Sequence, residues 1–417
     1  MSRSPAVPPT ALIRLADAGD VYVAWRWLDA AAAPGVAVLP GEDVDRVVAR
    51  LAAELPRPGD PAGLRRALTT GVLADPDAEN AFAQELSRVL LPYALAVQLH
   101  DFHQRGIVPH LRIQPSPRLA QVPWELLAPD PDIRLLDLVD LSLLAPASVV
   151  RAPDRAVRRW AETRDLPVVA VLDPRVPGFR ADSELGSVLG RTTPESPIAR
   201  HFSAYGARIT PAGGLFRRTD TDRDWLAATL AAGAARLFYL GHVTAAAPDS
   251  GESEHAALHL TCGPDTRGFA ALTRTHRPLT AKDLLLGTHT LDEHPVAGRD
   301  RYPMPSRVAL VACESGGDQR FTEALGLTTA ALANGAELVT ATRWPLPTDH
   351  AFHTLAGVPE DRFPLQEAVC AIDAAHDAVD PIGELAAWQR ARLAAWRTRP
   401  TAADAPVLWA APVTVRD

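Results

Sequence analysis

The chain has 417 residues, 47% of them hydrophobic and 22% charged, a composition that suits one large soluble α/β domain with a smaller additional region. Its formal net charge of -8 argues against a nucleic-acid-binding protein, which needs clustered positive surface. Three cysteines are too few for a disulfide framework, and neither a signal peptide nor a membrane-spanning run is visible, so we expect a cytoplasmic protein with reduced thiols.

The first 107 residues predict a mixed α+β region with a partner-binding or regulatory role. Loose alternation over Ala11–Leu28 predicts one or two strands, and the apolar spacing over Val44–Leu55 predicts a helix. A longer helical pattern covers Ala78–Arg105 and contains Pro92, which cannot continue the backbone hydrogen bonding. We therefore predict a kink or two successive helices at Pro92.

From about residue 165 the pattern changes to short apolar runs separated by helical segments. The runs are rich in β-branched or aromatic residues and are Pro167–Leu172, Arg236–Leu240, Arg307–Ala312 and Glu337–Thr342. Helices are predicted between them at Asp222–Ala232 and Thr322–Asn334, and Gly335 stands where a left-handed cap is expected. Alternating apolar strands and helices predict an α/β fold with a parallel sheet covered on both faces.

Four polar or aromatic residues follow these strands, at the edge where open parallel sheets bind ligands. They are Asp173, His242, Cys313 and Trp344. An imidazole beside a thiol can stabilise the thiolate and later protonate a leaving amine. A cysteine at a strand end is as readily a small core residue, however, so this pattern alone leaves both interpretations open.

A zinc site at His255, His259 and Cys262 is the competing interpretation of the histidines. In a strand, His255 and His259 would share a face while Cys262 would point the other way, which suits a single metal poorly. Neither a P-loop nor a G-x-S-x-G motif is present. We expect no metal and no organic cofactor.

One long segment changes the weight of these alternatives. Residues 308–349 read VALVACESGGDQRFTEALGLTTAALANGAELVTATRWPLPTD. They resemble the signature of the CHAT peptidase family, in which a strand delivers a nucleophilic Cys, a helix follows, and a second strand ends in W-P. The counterparts are Cys313, Gly326–Ala336 and Trp344–Asp349. LFYLGHV is similar to the family's histidine strand, Val122–Leu127 to its upstream element, and APVLWAAPVTV to its closing strand.

The resemblance implies a caspase-like domain over residues 108–417, related to separase and caspases, with a catalytic core at about 165–350. The expected fold is a twisted, mostly parallel sheet with helices on both faces. The expected activity is that of a cysteine endopeptidase with His242 as general base and Cys313 as nucleophile. The N–H groups of Val243 and Cys313 would hold the oxyanion.

Val243 is a departure, because the family usually has glycine directly after the histidine. Valine resists backbone conformations that glycine adopts. The alternative is therefore a weak or inactive pseudoprotease that serves as a signalling or interaction scaffold.

The resemblance also implies specificity and context. Asp349 matches a carboxylate that receives a basic P1 side chain in related peptidases, so we predict cleavage after Arg. Its alternative role is to cap the following helix. Asp173 is a second candidate for the pocket wall or a strand-end turn, Trp344 belongs to the same expected substrate-binding set, and Glu314 either orients the active-site loop or is solvated. A protein substrate, an activating protein partner and a role in bacterial defence or signalling are expected, without nucleic acid or membrane.

Overall fold

The computed structural model describes residues 8–247, 250–312, 315–321 and 324–417. Its strands are β1 (Thr10–Ala18), β2 (Asp20–Trp27), β3 (Gly35–Leu39), β4 (His110–Gln114), β5 (Asp140–Leu144), β6 (Val168–Leu172), β7 (Ile209–Thr210), β8 (Arg236–Leu240), β9 (Val243–Thr244), β10 (Ala257–Leu258), β11 (Leu279–Thr280), β12 (Arg307–Val311), β13 (Leu338–Thr342) and β14 (Pro412–Arg416). The α-helices in these ranges are α1 (Gly41–Glu54), α2 (Pro61–Thr69), α3 (Pro76–Leu90), α4 (Tyr93–Gln104), α5 (Leu135–Leu138), α6 (Ala147–Val150), α7 (Trp160–Thr163), α8 (Pro197–Ser203), α9 (Arg223–Ala231), α10 (Ala281–Leu286), α11 (Gly298–Arg301), α12 (Leu327–Ala333), α13 (Asp349–Ala356), α14 (Pro364–Asp377), α15 (Pro381–Thr398) and α16 (Pro406–Trp409).

Most of the described strands join one large sheet. Its eleven strands lie in the order β3-β2-β1-β4-β5-β14-β13-β12-β8-β6-β7, and β9 to β11 form a small antiparallel sheet. Seven of the ten neighbouring pairs in the large sheet are parallel, and the antiparallel ones involve the first hairpins and β14. The predicted mostly parallel sheet is confirmed.

Helices cover both faces of the central strands. In β8, Leu237 and Tyr239 point into a core shared with α9, α10 and α12, whereas Phe238 and Leu240 point into a core shared with α8, α14 and α15. A strand buried on both faces needs apolar residues at successive positions. This requirement explains why these strands stand out in the sequence as uninterrupted apolar runs.

Local backbone chemistry sets several helix ends. The predicted break at Pro92 is confirmed, because α3 ends at Leu90 and α4 begins at Tyr93. The helix predicted from Thr322 begins only at Leu327, where the buried carboxylate of Asp318 accepts the Thr329 N–H at 2.8 Å; Thr322 itself lies outside the described residues. Within the part of the chain described here, no helix is both long and apolar enough to cross a bilayer.

The first strands are continuous with the rest of the sheet. Strand β1 pairs in parallel with β4 from Thr10 opposite His110 onward. The indole N–H groups of Trp25 and Trp27 both donate to the Gln98 amide oxygen, at 3.1 and 2.9 Å, and so tie β2 to α4. The sheet therefore crosses the boundary predicted at residues 107/108, and the division of the chain at that point stays a prediction.

Candidate active site

The strands that precede His242 and Cys313 are neighbours. β8 and β12 run parallel, with Leu240 opposite Val311 at their carboxyl ends. His242 comes two residues after the end of β8, and position 313 comes two residues after the end of β12. Cys313 and Glu314 themselves lie outside the described residues.

The described residues on either side of position 313 are tied to the sheet. The Thr342 hydroxyl donates to the Ala312 carbonyl. The Ser315 hydroxyl donates to the Leu310 carbonyl, and its oxygen accepts the Thr342 N–H at 3.0 Å. Both ends of this short connection are therefore anchored to the carboxyl ends of β12 and β13.

The imidazole of His242 has a defined hydrogen-bond partner. Its Nε2 lies 3.1 Å from the Gly186 carbonyl oxygen. A carbonyl oxygen only accepts, so Nε2 carries the proton and Nδ1 of the neutral ring is an unprotonated base. Burial lowers the pKa of His242, the Gly186 carbonyl and the Asp173 charge act in the opposite direction, and the Arg217 charge lowers it further. The ring is therefore neutral at pH 7, as a general base must be.

The main chain of His242 is also held. The Tyr239 hydroxyl donates to the His242 carbonyl at 2.7 Å and lies 3.0 Å from the His259 carbonyl. The His259 N–H donates to the same His242 carbonyl at 3.1 Å. These contacts fix the peptide that joins His242 to Val243.

Val243 lies in β9, and its register determines where its N–H points. It stands opposite Leu258 in the antiparallel pair β9–β10, and the bond between the neighbouring residues His259 and His242 makes those two a hydrogen-bonded pair. Hydrogen-bonded and non-bonded pairs alternate, so the Val243 N–H is directed away from β10. Val243 has no positive φ, and its backbone therefore does not require glycine. Its predicted part in an oxyanion hole stays a prediction.

Of the three residues considered for zinc, His259 and the Cys262 carbonyl belong to a row of hydrogen bonds that runs through His276. The His276 Nδ1 lies 2.8 Å from the Cys262 carbonyl and must donate, so the His276 Nε2 accepts from the His259 Nδ1 at 3.2 Å. The His259 Nε2 then accepts the Thr244 hydroxyl at 2.7 Å. Among the described residues, no group of three His, Cys, Asp or Glu side chains is placed to hold a metal ion. His255 is exposed and pairs with Glu252.

The buried hydrogen bonds of His259 make the stability of the fold sensitive to acid. Burial lowers the pKa of His259 to about 3. The unfolded chain therefore binds a proton here that the folded chain does not, from about pH 6.5 down to about 3. We expect the stability advantage of the wild type over His259→Gln to shrink by up to about 1.4 kcal/mol per pH unit as the pH falls through this range. Urea unfolding of both proteins at pH 7, 6 and 5 measures this difference. A difference in the free energy of unfolding that stays the same at all three pH values would contradict the prediction.

Asp173 is buried beneath a loop. Its Oδ1 accepts the Val188 N–H at 3.0 Å and lies 3.3 Å from the Arg217 guanidinium, and its Oδ2 accepts the Ser187 hydroxyl. Its own N–H donates to the Leu240 carbonyl at 2.7 Å. Both carboxylate oxygens are thus already engaged, which favours the strand-end turn over a receptor for a substrate cation. The specificity role of Asp173 stays a prediction.

Trp344 and Asp349 lie beyond β13. The Trp344 ring is completely buried and donates to the Val407 carbonyl at 2.8 Å, which favours a packing role over the predicted substrate contact. The cap proposed as an alternative for Asp349 is supplied by Thr348, whose hydroxyl accepts the Ala351 N–H. Asp349 is the first residue of α13.

The Asp349 carboxylate is only half satisfied. Its Oδ1 accepts the Leu365 N–H at 2.8 Å, whereas among the described residues no donor meets the buried Oδ2 at good hydrogen-bond geometry, although Gln366 lies close enough to act on the carboxylate and lower its pKa. Burial raises the pKa of Asp349 to about 6. An unpaired buried carboxylate oxygen is costly, and a guanidinium would satisfy it well.

Sequence reasoning missed Gly186, Tyr239 and Arg217. The Gly186 carbonyl contacts the His242 ring, and the Tyr239 hydroxyl contacts the His242 carbonyl. The motif LFYLGHV contains Tyr239, and an aromatic hydroxyl three residues before the histidine was a usable signal. A main-chain carbonyl leaves no such mark in a sequence.

Comparison with known protein families confirms the resemblance seen in the sequence. The model of the CHAT domain matches residues 80–357, two thirds of the chain. No curated protein matches it in sequence.

Solved structures also resemble the chain. One is separase in the Saccharomyces cerevisiae separase–securin complex, at 9% identity and a TM-score of 0.49, which covers 98% of this chain and 30% of that one. Another is the complex of the Porphyromonas gingivalis RgpB pro- and mature domains, at 10% identity and a TM-score of 0.36, which covers 90% of this chain and 76% of that one. The chain thus spans less than a third of the separase chain.

Proposed function

Because this chain belongs to the CHAT domain family, we propose that it is a cysteine endopeptidase in which His242 and Cys313 form the catalytic dyad. The observation that carries the proposal is the state of His242. Its Nε2–H is bonded to the Gly186 carbonyl, which leaves Nδ1 as a base, and the strand before His242 runs parallel to β12, which ends two residues before position 313 in the sequence. Both residues follow adjacent parallel strands at the same offset.

The chemistry follows from these groups. The His242 Nδ1 takes the proton of the Cys313 thiol, and the thiolate attacks the carbonyl carbon of the scissile peptide. The N–H groups of Val243 and Cys313 stabilise the tetrahedral oxyanion. The imidazolium then protonates the leaving amine as the C–N bond breaks, and a thioester remains. Water, deprotonated by His242, hydrolyses the thioester and restores the thiol.

Burial of His242 disfavours the imidazolium that forms during this cycle. The Gly186 carbonyl offsets part of that cost, because a hydrogen bond from Nε2–H strengthens as the ring becomes positive. In the proposed dyad, the group that orients the histidine is therefore a main-chain carbonyl and not a third side chain.

We assign the preference for a P1 arginine to Asp349. The incomplete hydrogen bonding of Oδ2 supports this assignment on the condition that substrate binding uncovers the buried carboxylate, because a substrate guanidinium would then supply donors and lower the pKa of the carboxyl. A protein substrate, an activating protein partner and a role in bacterial defence or signalling belong to the same proposal, and the family resemblance implies them.

An electrophilic probe tests the dyad. The full chain is treated with an arginyl acyloxymethyl ketone, and the modified residue is identified by mass spectrometry. We expect labelling of Cys313, its loss in Cys313→Ala, and its persistence in the matched control Cys370→Ala, since the half-buried Cys370 has a pKa that burial raises to about 12.

Labelling of Cys370 in place of Cys313 would overturn the assignment of the nucleophile. Absence of labelling in every variant, also after incubation with a lysate of the native host, would support the pseudoprotease alternative.

A further inference from the structure

Two residues with left-handed backbone meet next to the Gly186 loop. Asp173 has φ +50 and Arg217 has φ +53. Such a conformation is unfavourable for a residue other than glycine and persists only where surrounding contacts enforce it. Asp173 ends the turn after β6, and Arg217 directly follows Phe216, which bridges to Leu172 at the end of the same strand.

The side chains of Asp173 and Arg217 both bond to the loop at residues 186–188. The Arg217 Nη1 donates to the Gly186 carbonyl at 3.0 Å and to the Asp173 Oδ1 at 3.3 Å. The same carboxylate accepts the Val188 N–H and the Ser187 hydroxyl. The guanidinium and the carboxylate therefore hold residues 186–188 together, and we call this arrangement the Asp173–Arg217 clamp.

The Gly186 carbonyl is the point where the clamp reaches His242. It accepts from the His242 Nε2 at 3.1 Å and from the Arg217 Nη1 at 3.0 Å, which uses both lone pairs of the oxygen. The loop is tightly folded at this residue, since a Cβ on Gly186 would lie 2.3 Å from the Ala181 carbonyl oxygen. The direction of this carbonyl therefore depends on Arg217 and on the fold of its own loop.

We propose that Arg217 is a positioning residue for His242, which it orients by holding the Gly186 carbonyl where only the Nε2–H tautomer can bond to it. Among the described residues, the Arg217 side chain is bonded to the Gly186 carbonyl and the Asp173 carboxylate and not to the His242 ring. The catalytic consequence rests on the proposed peptidase function, whereas the tautomer is a property of the folded chain alone. If the clamp is lost, the carbonyl is free to turn, and the ring can adopt the Nδ1–H tautomer, in which the base is no longer available.

Arg217→Met tests the clamp, because it removes every donor and keeps most of the volume. Arg218→Met is the matched control, since the neighbouring guanidinium bonds to Asp220 and to the Gly213 carbonyl and not to Gly186. Arg217→Lys keeps one donor, and a single nitrogen makes both contacts in the wild type. It should therefore rescue in part.

The primary readout is the His242 tautomer, measured by long-range ¹⁵N–¹H spectra of the full chain labelled at histidine, with His242→Gln as the assignment control. We expect a single Nε2–H tautomer in the wild type and in Arg218→Met, and a mixture in Arg217→Met. The second readout is peptide cleavage, where kcat should fall by about 10–100-fold in Arg217→Met with KM unchanged.

A folded Arg217→Met protein that keeps the pure Nε2–H tautomer would overturn the proposal, as would a wild type that lacks it. A tautomer shift in a chain that has no peptidase activity even after incubation with a lysate of the native host would uphold the clamp and reject the proposed function. If Arg217→Met does not fold, Asp173→Asn weakens the same clamp from its other side, and the same spectra decide.

Discussion

Replacing His242 with glutamine lowers the kcat of arginyl-peptide cleavage by about 10³-fold or more. Glutamine can still donate an N–H to the Gly186 carbonyl, so the loop keeps its contact, but an amide cannot take a proton from a thiol. A thiol without a neighbouring base titrates near ~8.5 and is mostly neutral at pH 7. The loss should therefore be largest at neutral pH and smaller above pH 8.5.

The measurement is a pH–rate profile of kcat and of Cys313 alkylation by iodoacetamide. In the wild type, alkylation of Cys313 requires a neutral His242, which takes the proton of the thiol and then pairs with the thiolate. Burial holds the pKa of His242 below its ordinary value. Activity should thus persist in mildly acidic solution in which an ordinary histidine is already protonated. His255→Gln is the control, because His255 is exposed and pairs only with Glu252 among the described residues. A His242→Gln rate within about threefold of wild type would contradict the dyad.

Replacing Asp349 with asparagine has opposite effects on activity and on stability. The variant should cleave after Arg about 10²-fold less efficiently, because the P1 guanidinium loses an ionic partner in a buried site. Cleavage of a matched substrate with P1 norleucine should change much less. The comparison of kcat/KM for the two substrates measures specificity separately from general damage.

Stability should respond in the other direction above pH 6. Burial raises the pKa of Asp349 to about 6, whereas an ordinary Asp titrates near ~3.9 in the unfolded chain. Between these two values the folded state holds a proton that the unfolded state has lost, so the stability from this group falls as the pH rises through about 6 and is absent at pH 8. Asparagine does not ionise, and its amide oxygen can still accept the Leu365 N–H. We expect a midpoint of thermal unfolding at pH 8 equal to or above that of the wild type.

Asp361→Asn provides the control for both measurements, since this carboxylate is exposed in the turn before α14. Equal losses for the arginyl and norleucyl substrates in Asp349→Asn would place Asp349 outside the specificity pocket. A clear loss of stability at pH 8 would show that the Asp349 Oδ2 has a partner that asparagine cannot replace.

The core strands and several chain breaks could be predicted because their causes are local. Strands β6, β8, β12 and β13 are buried on both faces, and such strands need consecutive apolar residues whatever surrounds them. The division between α3 and α4 follows from Pro92, whose ring forbids a continuous helix in any context. The family signature around position 313 is equally a property of the chain alone.

The roles of single polar groups could not be predicted in the same way. Thr348 and Asp349 are both good capping residues, and the sequence offers no means to choose between them. The choice is made by the Leu365 N–H, which approaches from another helix and engages the Asp349 Oδ1. The late start of α12 has a similar cause, because the Asp318 carboxylate reaches the Thr329 N–H across a turn.

The amino-acid sequence by itself determined the strand and helix alternation, the two-sided burial of the central sheet and the family, because periodicity and motif are properties of neighbouring residues. Only the tertiary structure decided the tautomer of His242, the engagement of Asp173 and the burial of Trp344. Each of these depends on a carbonyl or a side chain brought from a distant part of the chain, such as Gly186, Arg217 or Val407. Hydrogen bonds select partners by distance and direction in space, and the order of residues does not contain that information.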